Sequence, residues 1–209
     1  MPEALRRGAQ ALAVLALAAV AAGCGPRSIA LYEKVMGSPS YGKVTESATR
    51  TREVHDGLDT RFILAATWLS DPWVAAFTEE YSNIYYLDAA RREAVISRWR
   101  AESEKHVRFF VALYVPEEKG NDLEKPGTLW SLRLVRADEA DFEPVYIRAS
   151  SLRPEETARF FPYCGTWYRA YEVAFPREAI EPAVAPRAGS PRLKLVLSGV
   201  EGRAVLAWQ

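Results

Sequence analysis

The imidazole and thiol groups of this 209-residue sequence are carried by His55, His106, Cys24 and Cys164. A zinc site needs three or four such ligands in one place, and neither histidine has a second ligand at metal-binding spacing. The sequence also lacks a Gly-x-Ser-x-Gly elbow, a P-loop and a Gly-x-Gly-x-x-Gly motif. We therefore predict no metal site and no cofactor, and we expect both histidines at the surface. A hydrolase with dispersed catalytic residues stays open as an alternative, because only the fold brings the members of a catalytic triad together.

Cys24 stands at the end of a short secretory pattern. Arg6 and Arg7 supply positive charge, and residues 11–22 form an unbroken run of Ala, Val and Leu. A run of about 12 residues is too short to cross a membrane, which needs roughly 20, but it suits the hydrophobic region of a signal peptide. The run ends in Ala21-Ala22-Gly23-Cys24, small residues followed by a cysteine. These features predict that residues 1–23 are a signal peptide.

The Ala21-Ala22-Gly23-Cys24 ending resembles the lipobox of bacterial lipoproteins, although Ala21 stands where leucine is most usual. The resemblance implies cleavage between Gly23 and Cys24, a diacylglycerol on the Cys24 thiol and a further acyl chain, such as palmitate, on the new amine. Several acyl chains hold a protein stably in a membrane. Gly25 after the cysteine, rather than aspartate, implies the outer membrane as the destination of the exported protein. The alternative is an ordinary cleaved signal in which Cys24 has no role.

The charge balance of the chain excludes one class of function. Lys and Arg number 27, and Asp and Glu also number 27. A net charge near zero gives no electrostatic reason to expect nucleic acid or an anionic lipid surface as the main partner. We therefore expect contact with the membrane through the N-terminal lipid and contact with another envelope component, most simply a protein.

Cys164 would be the one remaining thiol once Cys24 is acylated, so no internal disulfide is expected. It lies in the aromatic segment Phe160-Phe161-Pro162-Tyr163-Cys164-Gly165. Burial among aromatic side chains predicts an inert thiol. A reactive or intermolecular thiol is the alternative.

The chain after the signal peptide divides into a tether and one domain. Residues 24–42 are rich in Gly, Pro and Ser, which is typical of a linker. Residues 43–209 contain eight segments in which apolar and polar side chains alternate with the period of a strand. These segments are 43–54, 60–69, 107–115, 130–134, 145–149, 167–175 and the two arms of a hairpin over 193–208. The pattern predicts a mainly β domain, an antiparallel immunoglobulin-like β-sandwich.

A helical pair over about residues 71–105 interrupts the strand pattern. Asp71-Pro72 is a favourable helix start, and Asp88 can cap a second helix. The first helix places one apolar stripe at helical spacing, formed by Val74, Phe77, Tyr81 and Ile84. A further short helix is expected from Pro154 to Phe161.

The aromatic side chains are the most distinctive feature of the domain. Most of these aromatic residues lie on the apolar faces of their predicted strands, so we expect all six tryptophans in the core. The better exposed candidates for contact with a ligand such as peptidoglycan or another glycan are Tyr85, Tyr86, Tyr163 and Tyr168.

Two acidic segments, 121–124 and 138–143, are candidates for binding calcium. Carboxylate oxygens suit this ion, and the two loops would have to meet at one end of the sandwich to bind it. Neither segment has EF-hand spacing, and basic residues lie nearby. Ordinary polar loops are therefore the preferred interpretation.

Beyond the lipobox, the domain resembles uncharacterised envelope lipoproteins of Gram-negative bacteria in its plan of strands with inserted helices. That resemblance implies no particular activity. We therefore predict a lipid-anchored envelope protein that acts as a non-enzymatic binding or structural module for another envelope component. The glycan-binding module and the hydrolase are the two alternatives.

Overall fold

Residues 38–181 and 192–209 are described by a computed structural model, and within them the chain forms nine strands and four α-helices. The helices are α1 (Pro39–Ala48), α2 (Asp71–Ile84), α3 (Ala89–Lys105) and α4 (Pro154–Phe160). The strands are β1 (Thr49–Asp56), β2 (Asp59–Trp68), β3 (His106–Tyr114), β4 (Ser131–Arg136), β5 (Asp141–Phe142), β6 (Tyr146–Ala149), β7 (Arg169–Pro176), β8 (Leu193–Gly199) and β9 (Gly202–Trp208). The predicted signal peptide, Cys24 and most of the predicted tether lie outside the described residues.

The nine described strands form two antiparallel sheets. The larger sheet has the order β1-β2-β3-β7-β6, and the smaller has the order β5-β4-β8-β9. In the larger sheet Ala66 pairs with Val111 and Val111 pairs with Tyr171, while in the smaller sheet Leu134 pairs with Leu195. The prediction of a mainly β, antiparallel fold is confirmed at this level.

Side chains from both sheets meet in one hydrophobic cluster. Strand β3 alternates strictly, so that one face is buried in this cluster through Val107, Phe109, Val111 and Leu113. Strands β4 and β8 of the smaller sheet contribute Leu132, Leu134, Leu193, Leu195 and Leu197. Burial of one face of each sheet removes apolar area from water, and this is the main favourable contribution to the stability of the domain.

A second cluster covers the opposite face of the larger sheet. Phe110 points outward from β3, and the helices pack on it through Tyr41, Trp73, Phe77 and Phe160. The predicted helical pair is present as α2 and α3, between β2 and β3. Its predicted stripe is also correct, since all four of its members belong to this cluster or pack against it.

The structure differs from the sequence prediction at the start of the domain. A strand is expected from the sequence over residues 43–54, but α1 extends to Ala48 and β1 begins only at Thr49. Ser38 caps the helix through its hydroxyl, which accepts from the Tyr41 N–H at 3.4 Å. Tyr41, Thr45 and Ala48 are buried at helical spacing. Residues 38–42 of the predicted tether thus join a helix that packs on the domain.

The two long helices start as short-range rules suggest, with one shift. Ser70 is the N-cap of α2, one residue before the expected Asp71. Asp88 caps α3 as predicted, with its carboxylate accepting from the Arg91 N–H at 2.8 Å. Among the helices of the described residues, none combines the length and the apolar composition needed to cross a membrane.

Candidate functional site

The two histidines lie in different environments. His55 is exposed on β1, as predicted, and its ring nitrogens lie 3.1 Å from the Glu53 carboxylate and 3.3 Å from the Thr60 hydroxyl. His106 is partly buried at the start of β3, where its ring faces that of Tyr146 at 5.9 Å. The surface prediction is therefore wrong for His106. Its place at the foot of α3 gives it neighbours that the local sequence does not reveal.

Cys164 packs against the cluster that the helices form on the larger sheet. Burial raises the pKa of its thiol from 9.0 to about 11. Within the described residues, no hydrogen bond joins this thiol to His55 or His106. The structure does not bring these residues together as a nucleophile and a base.

The raised pKa predicts slow chemistry at Cys164. In a Cys24→Ser variant, where Cys164 is the only thiol, alkylation by iodoacetamide at neutral pH should be about 100-fold slower in native protein than in urea, because two pKa units separate the thiolate fractions. Because the pKa of this thiol is higher in the folded chain than in the unfolded chain, the neutral thiol contributes to the free energy of unfolding below pH 9.0. This contribution is lost as the pH rises from there to about 11. Equal alkylation rates in the two states would contradict an inert thiol.

The two acidic loops do not meet. One precedes β4 and the other follows it, so the strand separates the loops at its two ends. Their carboxylates are also engaged, since Asp138 pairs with Arg136 at 2.9 Å and Arg169 pairs with Glu124. In residues 38–181 and 192–209 no group of three or more His, Cys, Asp and Glu side chains is placed to bind a metal. The arrangement required for calcium is therefore absent from these two loops.

The four tyrosines selected as ligand contacts fall into two places. Tyr85 and the fully exposed Tyr86 lie just after α2, and the Tyr85 hydroxyl donates to Glu156 at 2.8 Å. Tyr163 and Tyr168 precede β7 and are partly buried; the Tyr163 hydroxyl lies 2.6 Å from that of Thr67. Tyr85 and Tyr163 thus hold neighbouring elements together.

One tryptophan contradicts the expectation that all six lie in the core. Trp167 is 81% exposed, because β7 begins only at Arg169 and Trp167 belongs to the preceding turn. Arg169 pairs with Leu113 near the end of β3, so this turn lies at the same end of the larger sheet as Tyr114. Tyr168 packs at 5.9 Å from the Tyr114 ring.

That same end of the sheets carries a groove with exposed apolar side chains at its rim. The groove has a volume of about 780 Å³ and lies among the β1–β2 turn, the segment 114–130 and the β8–β9 turn. Leu58, Leu129 and Val200 line it and are 102%, 70% and 77% exposed. Apolar side chains grouped in this way on a surface are typical of a contact with another molecule.

Close packing beneath the groove determines where two of these loops lie. The Trp130 ring packs 5.0 Å from that of Phe62, and its indole N–H donates to the Gly120 carbonyl at 2.7 Å. A Cβ at position 199 would lie 2.9 Å from the Leu129 carbonyl oxygen and from the Trp130 ring. Glycine therefore allows the β8–β9 hairpin to approach the segment before β4, which brings Leu129 near Val200.

A buried asparagine fixes the rest of the segment 114–130. The Asn121 side chain donates to the Leu113 carbonyl at 2.7 Å and accepts from the Tyr171 hydroxyl at 2.8 Å. Buried amides that satisfy their hydrogen bonds rigidify a loop. The groove wall is thus held to the core of the sheets, although the sequence suggested only a polar loop here.

The walls of the groove are acidic. Four carboxylates line it against two basic side chains, Arg61 and Lys119. Arg61 is already bonded to Asp56 at 2.6 Å and lies 3.5 Å from Glu201. The four lining carboxylates belong to Asp59, Glu117, Asp122 and Glu201.

Comparisons with known proteins give no functional assignment. No protein-family model matches the chain, and no curated protein matches it in sequence. Among solved structures, the chain is similar to a protein of unknown function from Burkholderia pseudomallei, with 12% identity, a TM-score of 0.40, and coverage of 81% of this chain and 83% of that one. The function is therefore inferred from this chain's own residues.

Proposed function

We propose that this chain is a lipid-anchored protein of the bacterial envelope, an outer-membrane lipoprotein whose domain binds a segment of another envelope protein. The anchor is supported by the signal pattern and the Ala21-Ala22-Gly23-Cys24 ending. The binding role is supported by the groove at one end of the sheets. The observation that carries it is the exposure of Leu58, Leu129 and Val200 around that groove.

As part of this proposal, we assign the two sheets to an immunoglobulin-like sandwich. Immunoglobulin domains have the sheet orders A-B-E-D and C-F-G. The orders β2-β3-β7-β6 and β4-β8-β9 follow the same plan, with β5 in the place of strand C′. Strand β1, the helical pair and α4 are then additions to it.

This correspondence supports the groove as the binding surface. The segment 115–130 joins the counterparts of strands B and C, and the β8–β9 turn joins those of F and G. In variable domains the B–C and F–G loops lie at the same end of the sandwich and contact the ligand. The groove of this chain is lined by those two connections.

The charge of the groove indicates which kind of molecule binds in it. An acidic wall beside an apolar rim favours a protein segment in which Lys or Arg residues lie next to apolar side chains. The same charge disfavours the anionic surface of a membrane. We therefore commit to a basic, apolar segment of a partner protein.

Site-specific photocrosslinking in cells tests the proposal. A benzophenone amino acid at position 129 should form an adduct with one envelope protein, while the same group at position 205, on the outward face of β9, should not. The adduct peptide should contain Lys or Arg beside apolar residues. Reversing the charge of the groove wall with Asp59→Lys and Glu117→Lys should reduce the yield of the adduct by at least about 10-fold, because charges at the rim of an interface govern the rate at which the partners associate.

A matched control separates wall charge from total charge. Glu155→Lys and Glu178→Lys make the same change in net charge on exposed residues away from the groove, and they should leave the adduct unchanged. Adducts with peptidoglycan fragments would favour the glycan-binding alternative, with Trp167 as its first candidate. Equal adducts from positions 129 and 205, or an acidic partner peptide, would overturn the protein-binding proposal.

A further inference from the structure

A second cleft lies between α3 and the outward face of the larger sheet. Its volume is about 380 Å³, near the lower end of the range of about 300–1,000 Å³ for small-molecule sites. Alternation directs Arg108 of β3, Arg148 of β6 and Glu172 of β7 to this face, because Val107, Ile147 and Val173 point the other way. The groove at the end of the sheets is formed by other residues, so a ligand site in this cleft is independent of the proposed function.

Arg108 is the unusual residue of this cleft. Its guanidinium lies over the Trp99 ring at 4.4 Å, and its Nε is buried without a hydrogen-bond partner. Its Nη2 donates to the Trp99 carbonyl at 3.5 Å, and within the described residues this is its one hydrogen bond. Burial lowers the pKa of this guanidinium. Among the described residues no carboxylate lies within ion-pair distance of Arg108.

Of the two neighbouring carboxylates, that of Glu172 is engaged by another arginine. Arg148 donates to Glu172 through Nε at 3.1 Å and through Nη2 at 2.6 Å. Glu102 lies 3.9 Å from the Nδ1 of His106, which is itself buried without a hydrogen bond. Buried donors without partners are rare in folded proteins, and each requires an explanation. One such donor is the Nε of Arg108, and the ring of His106 lies two residues before it on the same face of β3.

The walls of the cleft are apolar and aromatic. Leu69, Phe77, Leu152 and Phe161 line it together with Trp99. An apolar pocket with a few convergent polar groups is the usual form of a small-molecule site. A planar guanidinium presents paired N–H donors that match the two oxygens of a carboxylate.

We propose that this cleft binds a small organic carboxylate with an apolar body. The carboxylate oxygens accept from the Nη groups of Arg108, and the apolar body lies against Trp99, Phe161 and Leu69. The ligand supplies the anionic partner that Arg108 lacks among the described residues. It enters between Arg98 and Arg148, which lie at the exposed margin of the cleft.

Calorimetric titration with hexanoate tests the site, in the full chain carrying Cys24→Ser so that no lipid is attached. Hexanoate should bind with a Kd below about 1 mM. Acetate, which lacks the apolar body, and hexanol, which lacks the charge, should each bind at least about 10-fold more weakly. Equal binding of hexanol would overturn the role of the carboxylate, and equal binding of acetate would overturn that of the apolar wall.

Two variants of Arg108 separate its roles. Arg108→Gln should weaken hexanoate binding at least about 10-fold, and Arg108→Lys should recover only part of the loss, because an ammonium keeps the charge but not the paired donors. Arg133→Gln, on the smaller sheet, is the matched control and should bind as the parent does. Full hexanoate affinity in a folded Arg108→Gln variant would overturn the proposal.

A measurement without any change at Arg108 covers the case in which its variants do not fold. In the same Cys24→Ser chain, saturating hexanoate should shift the indole N–H resonance of Trp99, while that of Trp130, beneath the groove at the end of the sheets, should stay in place. A Trp99→Phe variant assigns the signal. An unmoved Trp99 resonance would overturn the proposed location.

Discussion

Replacement of Trp73 by alanine is expected to lower the free energy of unfolding by about 3–5 kcal/mol, the range for large aromatic side chains in a core. Trp73 is 0% exposed and stacks on Phe77 and Phe161 at 5.0 and 5.5 Å. Its indole N–H donates to the Thr45 hydroxyl of α1 at 3.1 Å. The residue therefore joins α1, α2 and the segment after α4, and its loss leaves a cavity among all three. Urea unfolding followed by circular dichroism measures the effect.

Trp167→Ala provides a control of the same chemical size. Because that side chain is 81% exposed, its truncation should change the free energy of unfolding by no more than about 0.5 kcal/mol. The pair compares a buried with an exposed indole in one chain. A loss below about 1 kcal/mol for Trp73→Ala would show that the helical cluster contributes little to the cooperative fold.

Replacement of Cys24 by serine is expected to abolish the proposed lipidation altogether. A serine hydroxyl cannot form the thioether that we propose as the link to the diacylglycerol, so a palmitate analogue fed to cells should no longer label the protein. The protein should also be lost from the membrane fraction, because the proposed anchor consists of the acyl chains that this variant is expected to lack. Labelling followed by fractionation of the envelope measures both effects.

Cys164→Ser is the matched control for this experiment, since it removes the other cysteine of the chain. That variant should keep the label and the membrane location. Incorporation of the palmitate analogue into the Cys24→Ser protein would contradict the assignment of Cys24 as the lipidated residue. Loss of the label in both variants would show instead that export or folding had failed.

The two proposed sites differ in how far the sequence pointed to them. The strand segments on either side of the β1–β2 turn and the final hairpin were predicted, because strand alternation is a local signal. Their meeting with the segment 114–130 was not predicted. It depends on the approach of Gly199 to Leu129, which joins residues 70 positions apart. The Arg108 cleft also has no local signature.

The sequence by itself determined the antiparallel, mainly β character of the domain and the position of the helical pair. Alternation in β3 and the Asp88 cap are properties of neighbouring residues, so they can be recognised before the chain is folded. The start of the domain shows the limit of this reasoning. Thr- and Val-containing sequence near residue 45 suits a strand, but packing of Tyr41 against Trp73 and Phe160 favours a helix.

Only the tertiary structure decided which faces and ends meet. It separated the acidic loops by the length of β4, left Trp167 exposed and placed His106 and Arg108 beneath α3. The physical reason is that alternation tells which side of a strand avoids water, but not which element covers that side. Partners distant in the sequence are selected by the packing of the whole chain, and both proposed sites arise from such partners.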